Sequence, residues 1–586
     1  MKGGEQMFSI FAELKWFFRE HRIRYSVALI LLIAVGLLEL LPPILIGKSI
    51  DHMSQGTLSA GGLSEIIWML AGIAVIVYVI TYTWLYQLEG GAYLLERKYR
   101  SKLIAHFLKM APGFYGRYRT GDLMARATND LEAVGRTAGF GILTLVDSSI
   151  YMATILLMMG FAISWKLTIA AVLPLFLIIA VIQVLGKIME VRYSEAQKAF
   201  GTLNNHVLDA VEGVRTIRAY VQEADYQQDF KKRTEAVYEK NLNVVKITAL
   251  MQPAIKLLVA ISFLVGFGYG IIFVFQNKIT LGQLITFNVY LGMMIWPMYA
   301  LNELVNIMQK GNASLKRVQE VLHTLPDIQN PEGSKPNQVP DEIRFEQVTF
   351  RYPSADRDQL QAVSFVIRQG ETIGIVGKTG SGKSTLLKQL LREYPPGTGR
   401  LDVSGTLISE LPLEVTGGWI GYVPQEHLLF SSSIRENILF GRPEADEQAV
   451  QHAVASAALA DDIGGMPEGL ETLIGEKGVS LSGGQKQRVS IARALIADPE
   501  ILILDDALSA VDANTERTIL SSLRKERQGR TTLIATHRLA AIQHADRILV
   551  MDQGRIIEQG THEQLLALKG WYHTQFERQQ IETELL

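Results

Sequence analysis

The chain has 586 residues, room for three or four soluble domains at roughly 100–200 residues each. Its charge is nearly balanced, 57 Lys and Arg against 59 Asp and Glu, so bulk electrostatics give no reason to expect a nucleic acid or an anionic surface as partner. Cysteine is absent, which excludes disulfides, thiolate metal sites, protein-ligated iron–sulfur clusters and a Cys nucleophile.

Hydrophobic residues make up 48% of the chain and are concentrated in its first half. The chain opens with Phe8–Phe18 (FSIFAELKWFF), which reads either as an amphipathic helix on the inner membrane surface or as a helix packed on a bundle. No small-residue cleavage site follows the first apolar run, so no cleavable signal peptide is expected. A hydrocarbon core about 30 Å thick takes about 20 mostly apolar residues to span as a helix. Six segments meet or approach that length: Tyr25–Gly47, Ile66–Leu88, Ser148–Trp165, Leu167–Gly186, Leu257–Asn277 and Ile279–Asn302. Soluble helices rarely lack a charged face over such lengths, so a membrane domain is predicted.

Glu39 is the charge well inside a span, which makes it a substrate-site candidate suited to cationic amphiphiles. The alternative is a structural residue paired to a neighbouring helix beside Pro42 and Pro43. Asp147, at the start of the third span, is expected at the membrane interface. The aromatics and methionines of the spans (Trp84 and Trp296 among them) fit an adaptable cavity or ordinary helix packing equally well.

Connections after the second and fourth spans are long and rich in Lys and Arg, and the others are short and poor in them. By the positive-inside bias both termini are expected in the cytoplasm. Tyr93–Met110 and Ser194–Lys240 carry helical periodicity and are expected to prolong the spanning helices. Three glycines in Gly113–Asp122 (GFYGRYRTGD) predict a turn there. Pro326, Pro331, Pro336 and Pro340 mark a linker. The expected domains are therefore 1–325 transmembrane, 326–340 linker and 341–586 soluble.

After the linker, short strand-like runs alternate with helical segments, which argues an α/β domain. Gly377-Lys378-Thr379-Gly380-Ser381-Gly382-Lys383-Ser384 follows one such strand and opens a helix at Thr385, the context a P-loop requires. Its glycines let backbone N–H groups close around phosphate oxygens, and the helix N-terminus adds its positive dipole end. Lys383 can reach the β- and γ-phosphates, and Ser384 can ligate Mg²⁺, so ATP and Mg²⁺ are the expected cofactors.

Further along stand Leu481-Ser482-Gly483-Gly484-Gln485, an apolar strand ending in Asp505-Asp506, then Ser509-Ala510-Val511-Asp512 and Thr536-His537-Arg538. Upstream lie Phe350-Arg351-Tyr352 and Tyr422-Val423-Pro424-Gln425. With these in this order the chain resembles the ATP-binding cassette (ABC) family. Six spans before one cassette resemble an exporter-type half-transporter over the whole chain. Gly113–Asp122 and Glu212–Tyr220 resemble that family's coupling regions.

The resemblance implies roles. Tyr352 would stack on adenine. Gln425 would sense Mg²⁺ and the γ-phosphate, Asp505 would hold Mg²⁺, and His537 would contact the γ-phosphate. Leu481–Gln485 would face the P-loop of a second cassette, so the working unit would be a dimer in a membrane.

One residue departs from the pattern. Most such cassettes carry Glu after the strand-ending Asp, and this chain has Asp506. The shorter side chain retracts the carboxylate by about 1.5 Å, and a misplacement near 1 Å can cost on the order of 100-fold in rate. The chain's own ATP site is therefore expected to hydrolyse weakly. On this point the match is to the shorter, degenerate-site subunits of bacterial heterodimeric multidrug exporters of the BmrCD kind. The implied function is export of drugs or amphiphiles across a bacterial plasma membrane beside a different half-transporter. A lipid or lipopeptide flippase, a homodimer with slow hydrolysis and a cassette-gated channel remain as alternatives.

Overall fold

The computed structural model describes residues 9–330, 339–353, 355–475 and 481–585. Pro331 and Pro336 of the expected linker lie outside the described residues. The chain forms two compact units. One contains the residues up to Phe107 together with Thr120–Thr324, and the other contains Leu108–Arg119 together with the residues from Leu325 onward.

The first unit is helical. Among the described residues, five helical runs are long and apolar enough to cross a membrane: Arg22–Ser54, Ala60–Phe107, Thr120–Glu212, Glu223–Phe275 and Leu281–Leu322. The sequence predicts six separate spans. The difference lies in Thr120–Glu212, whose 93 residues carry two of them. The helical segment Gly160–Ser164 abuts the helix Trp165–Glu212, with Ser164 extended (φ −169°, ψ 124°) where one ends and the next begins, so the two adjoin without a loop. The first run is also broken, at Glu39 and Leu40, because Pro42 and Pro43 have no N–H to continue the ladder. Both prolines sit in the first turn of Leu41–Ser54, where the missing donors cost nothing.

Two polar ties fasten that break to the helix Leu281–Met293. The Tyr290 hydroxyl donates to the Leu40 carbonyl at 2.6 Å, and the Thr286 hydroxyl donates to the Pro43 carbonyl at 2.9 Å. Further along, Asp51 accepts from the Thr280 hydroxyl at 2.6 Å and from the Gly282 amide at 2.7 Å. The backbones meet here through Gly47 and Gly282: a β-carbon on Gly282 would lie 1.9 Å from the Gly47 carbonyl oxygen. Small residues let helices approach this closely.

The N-terminal segment packs on the bundle. Ile10, Leu14 and Phe17 are fully buried, Gln319 donates to Glu13 at 3.1 Å, and the Lys102 ammonium sits 4.2 Å above the Trp16 ring. Of the two readings of Phe8–Phe18, the packed one describes the geometry from Ser9 onward, Phe8 lying outside the described residues.

The second unit holds two sheets. Strands β1 (Glu342–Phe350), β2 (Leu360–Arg368), β4 (Thr398–Val403) and β5 (Thr406–Leu407) form an antiparallel sheet in the order β2-β1-β4-β5. Strands β3 (Thr372–Gly377), β6 (Ile420–Val423), β7 (Ile501–Asp505), β8 (Thr531–Ala535), β9 (Arg547–Asp552) and β10 (Arg555–Gly560) form the other, in the order β10-β9-β3-β8-β7-β6. The pairs from β9 through β6 are parallel, and β10 closes the edge antiparallel. β7 and β8 are buried along their whole length, which is why they read as unbroken apolar runs in the sequence.

Candidate functional site

The P-loop joins β3 to the helix Lys383–Leu390. Gly377 (φ 153°), Gly380 (φ 79°) and Gly382 (φ 105°) take backbone conformations that L side chains rarely adopt. The Lys383 ammonium donates to the carbonyls of Gly377 at 2.9 Å and Lys378 at 3.2 Å, which folds the side chain back over its own loop. Burial lowers its pKa, while Asp506 and Asp505 pull the other way. The Ser381 hydroxyl is buried and has no partner among the described residues, as expected of a loop shaped to receive a phosphate. Lys378 and Thr379 complete the loop, with the Lys378 carbonyl also accepting from the Ser381 amide at 3.1 Å.

β7 is the neighbour but one of β3 and delivers its terminal Asp505 to this loop. Ser384 Oγ donates to Asp505 Oδ1 at 2.9 Å. Asp505 is 2% exposed, and burial raises its pKa against the opposing Ser384 hydrogen bond. These oxygens are the hard donors that Mg²⁺ prefers, so the residues present fit the ion. Burial, and after it the Asp505 carboxylate, raise the pKa of the Tyr422 phenol. The motifs alone assign Tyr422 no role. Its place on β6, paired in parallel with β7, is the signal that finds it.

Asp506 follows in the left-handed region at φ 51°. Its amide donates to the Ala535 carbonyl at 2.8 Å, and its carbonyl accepts from the Ser509 hydroxyl at 3.0 Å. Among the described residues no side-chain hydrogen bond joins Gln425 or His537 to this cluster; they stand in the loops after β6 and β8. Gln579 donates to the His537 carbonyl at 2.8 Å.

Tyr352, the residue expected to stack on adenine, stands just past the end of β1. Its ring lies edge-on to Phe350 (5.0 Å) and Tyr394 (4.9 Å), and its hydroxyl is 3.1 Å from Thr385 Oγ1. An aromatic just past the end of β1 packs on the core beside it, and a phenol needs a polar partner when half-buried.

The Leu481–Gln485 segment starts the helix Gly483–Ile496 with a reciprocal cap. The Ser482 hydroxyl accepts from the Gln485 amide at 3.2 Å, and Gln485 Oε1 accepts from the Ser482 amide at 2.9 Å. Gln485 also donates to Asp462 at 2.8 Å. Gly484 is constrained, since a β-carbon there would come 2.9 Å from the Ala510 carbonyl oxygen. Two residues past Gln485, buried Gln487 accepts from the Ala510 amide at 2.9 Å and donates to the Ser509 hydroxyl at 3.1 Å. The segment Ser509–Asp512 is thereby tied to the signature helix by a residue to which the motifs alone give no role.

The helical unit carries its own polar cluster. Glu39, Asp147, Tyr151, Trp84 and Trp296 line a cavity of about 240 Å³. The Tyr151 hydroxyl donates to Glu39 at 3.0 Å, and Trp296 Nε1 donates to Asp147 at 2.8 Å. Asp147, at the start of the third span, thus shares one cavity with Glu39. Of the other aromatics, Trp68, Tyr78 and Tyr82 face outward (74%, 74% and 67% exposed), whereas Met294 and Met298 are core.

A helical membrane unit followed by a two-sheet P-loop cassette with these motifs defines an ABC exporter, and the chain belongs to the ABC transporter family. Residues 25–298 match the ABC transporter transmembrane region and residues 360–509 match the ABC transporter cassette. It is an ATP-hydrolysing, membrane-spanning exporter with permease and cassette in one polypeptide. It is 54% identical to the probable multidrug resistance ABC transporter ATP-binding/permease protein YheI of Bacillus subtilis (strain 168), over 98% of this chain and 99% of that protein. It is 39% identical to the multidrug resistance-like ATP-binding protein MdlA of Escherichia coli (strain K12), over 98% of each. Its structure is similar to that of a bacterial Atm1-family ABC exporter with ATP bound, with a TM-score of 0.79 and 27% identity over 95% of this chain and 98% of that one.

Proposed function

We propose that this chain is the hydrolytically weak half of a heterodimeric exporter of amphiphilic cations, working in a bacterial plasma membrane with both termini in the cytoplasm. The observation that carries the reading is Asp506, where a longer carboxylate would position the attacking water. The pinned backbone of Asp506 supports it, because the residue cannot advance to offset a short side chain.

In this reading the P-loop amides and Lys383 hold the ATP phosphates. Lys383 exchanges its two carbonyl partners for phosphate oxygens. Tyr352 leaves the Phe350–Tyr394 cluster to meet the adenine. Ser384, Asp505 and Gln425 hold Mg²⁺, which when bound offsets the negative charge of the phosphates. His537 approaches the γ-phosphate. Ser482, Gly483, Gly484 and Gln485 complete the ATP site of the partner cassette, where most of the hydrolysis occurs. Gly113–Asp122 and Glu212–Tyr220 pass cassette closure to the membrane helices. The cation preference rests on two carboxylates facing one cavity, since an organic cation recovers there the charge partner it loses on leaving water.

The decisive experiment is ATP hydrolysis by the purified chain, alone and with a candidate partner half-transporter. The expected result is activity mainly in the pair, abolished when the partner's catalytic Glu is changed to Gln. Brisk turnover by the chain alone would replace this reading with a competent homodimer.

A further inference from the structure

The His537 side chain is exposed, and its imidazole makes no hydrogen bond among the described residues. A side chain without ties of its own points where its backbone sends it. That backbone is held by one carboxamide from 42 residues further along. Gln579 Nε2 donates to the His537 carbonyl at 2.8 Å, and Gln579 Oε1 accepts from the Leu539 amide at 2.9 Å. The two bonds bracket Arg538, which itself donates to the carbonyls of Ser509 at 3.0 Å and Val511 at 3.1 Å. Among the described residues, Gln579 alone holds the carbonyl of the histidine. Gln579 lies on the helix Trp571–Leu585, where Tyr572, Phe576 and Gln579 recur at i, i+4 and i+7 and so share one face. Tyr572 is fully buried with its hydroxyl 2.8 Å from His562 Nδ1, and Phe576 packs on the same core. The Glu558 carboxylate accepts from the Tyr572 amide at 3.2 Å. The helix is thus fixed to the cassette before it reaches the loop after β8.

We propose that Gln579 is a positioning residue for ATP recognition: it sets the backbone of the loop after β8 so that the His537 imidazole meets the γ-phosphate. The inference rests on the reading of His537 as the γ-phosphate contact. Glutamine suits the task because its carboxamide offers a donor for the carbonyl and an acceptor for the amide at once. The γ-phosphate is what distinguishes ATP from ADP. A loosened loop therefore costs affinity for ATP and spares affinity for ADP. The C-terminal helix, which none of the cassette motifs includes, becomes a working part of the nucleotide site.

The test is nucleotide preference in the assembled transporter, purified from membranes by a tag on this chain and placed in lipid nanodiscs. The tag brings the second half with it, whether a different half-transporter or another copy. Photolabelling of this chain by azido-ATP, with Mg²⁺ and in the cold, is competed with ATP and with ADP. The ratio of the two half-effect concentrations is the preference. His537→Ala is expected to cut the preference for ATP by about 10-fold. Gln579→Met, of similar length but without donor or acceptor, is expected to cut it by about fivefold and to leave the ADP value within about twofold. Gln579→Glu keeps the acceptor for the Leu539 amide and should retain part of the preference. In a His537→Ala background, Gln579→Met should lower the preference by less than about twofold further, because both act through one contact. A packing role would add its full loss there, and that result overturns the proposal. A loss in His537→Ala with none in Gln579→Met overturns the proposal alone. An unaltered preference in His537→Ala overturns the reading of His537, and the proposal with it.

Discussion

A β-carbon on Gly382 would sit 2.7 Å from the Gln359 carbonyl oxygen, at a φ of 105° that alanine resists. Gly382→Ala is therefore expected to weaken ATP binding by about 5- to 150-fold, through about 1–3 kcal/mol of backbone strain at the loop. Equilibrium nucleotide binding checks this, and a Kd within twofold would contradict it. Gln487 makes a second case at this scale. It is 2% exposed, and Gln487→Leu strands the Ala510 amide. A loss of about 1–3 kcal/mol is expected, read as a lower Tm of the cassette transition. The residues differ in how far the sequence discloses them. The P-loop spacing is sufficient for Lys383 and Ser384, because that chemistry is local and contiguous. Gln487 and Tyr422 act on residues far from them in sequence, so only the strand order β8-β7-β6 and the helix packing bring their partners within reach.

Among the elements, Leu41–Ser54 and Leu281–Met293 are joined more firmly than apolar packing alone allows. Asp51→Ala removes the carboxylate that holds Thr280 and Gly282 and is expected to cost about 1.5–3 kcal/mol, seen as lower thermal stability in detergent. Asp51→Asn should show only part of that loss, since an amide oxygen still accepts. Ser482→Ala strips the cap from Gly483–Ile496 and should destabilise the cassette by about 1 kcal/mol. Hydropathy exposes the spans because about 20 apolar residues in a row are hard to explain otherwise, but it cannot report continuity. The third and fourth spans read as separate because Lys166 divides their apolar runs, and in the structure their helices adjoin at one extended residue, Ser164. The Glu39–Leu40 break is half-visible as Pro42-Pro43, whereas its ties to Tyr290 and Thr286 join residues 250 and 243 positions apart and leave no sequence trace.

For the whole molecule, the two carboxylates of the membrane cavity make a charge test available. Glu39→Gln combined with Asp147→Asn is expected to reduce efflux of a cationic dye by about tenfold while sparing a neutral dye of similar size. Dye efflux from inverted vesicles containing the complete transporter would measure this, and equal losses for both dyes would remove charge as the basis of selection. The family pattern discloses the division of labour between membrane unit and cassette. The cavity stays hidden until folding, because Glu39, Asp147 and Trp296 lie on three helical runs, and nothing in their spacing says they face one another.

Trp165–Glu212 and Glu223–Phe275, helices of 48 and 53 residues, pair side by side in the helical unit. At 1.5 Å per residue the second is about 80 Å long, against about 30 Å of hydrocarbon to cross. Some 50 Å of rod therefore projects beyond the bilayer, and with the membrane as fulcrum a tilt of about 5° carries its tip by ~4 Å. Such leverage turns a small movement at the tip into a smaller and more forceful one within the bilayer. A slender rod would waste that push in bending. Pairing of these two helices side by side, with Lys240 bonded to Glu195 between them at 3.1 Å, gives the arm the stiffness of a girder.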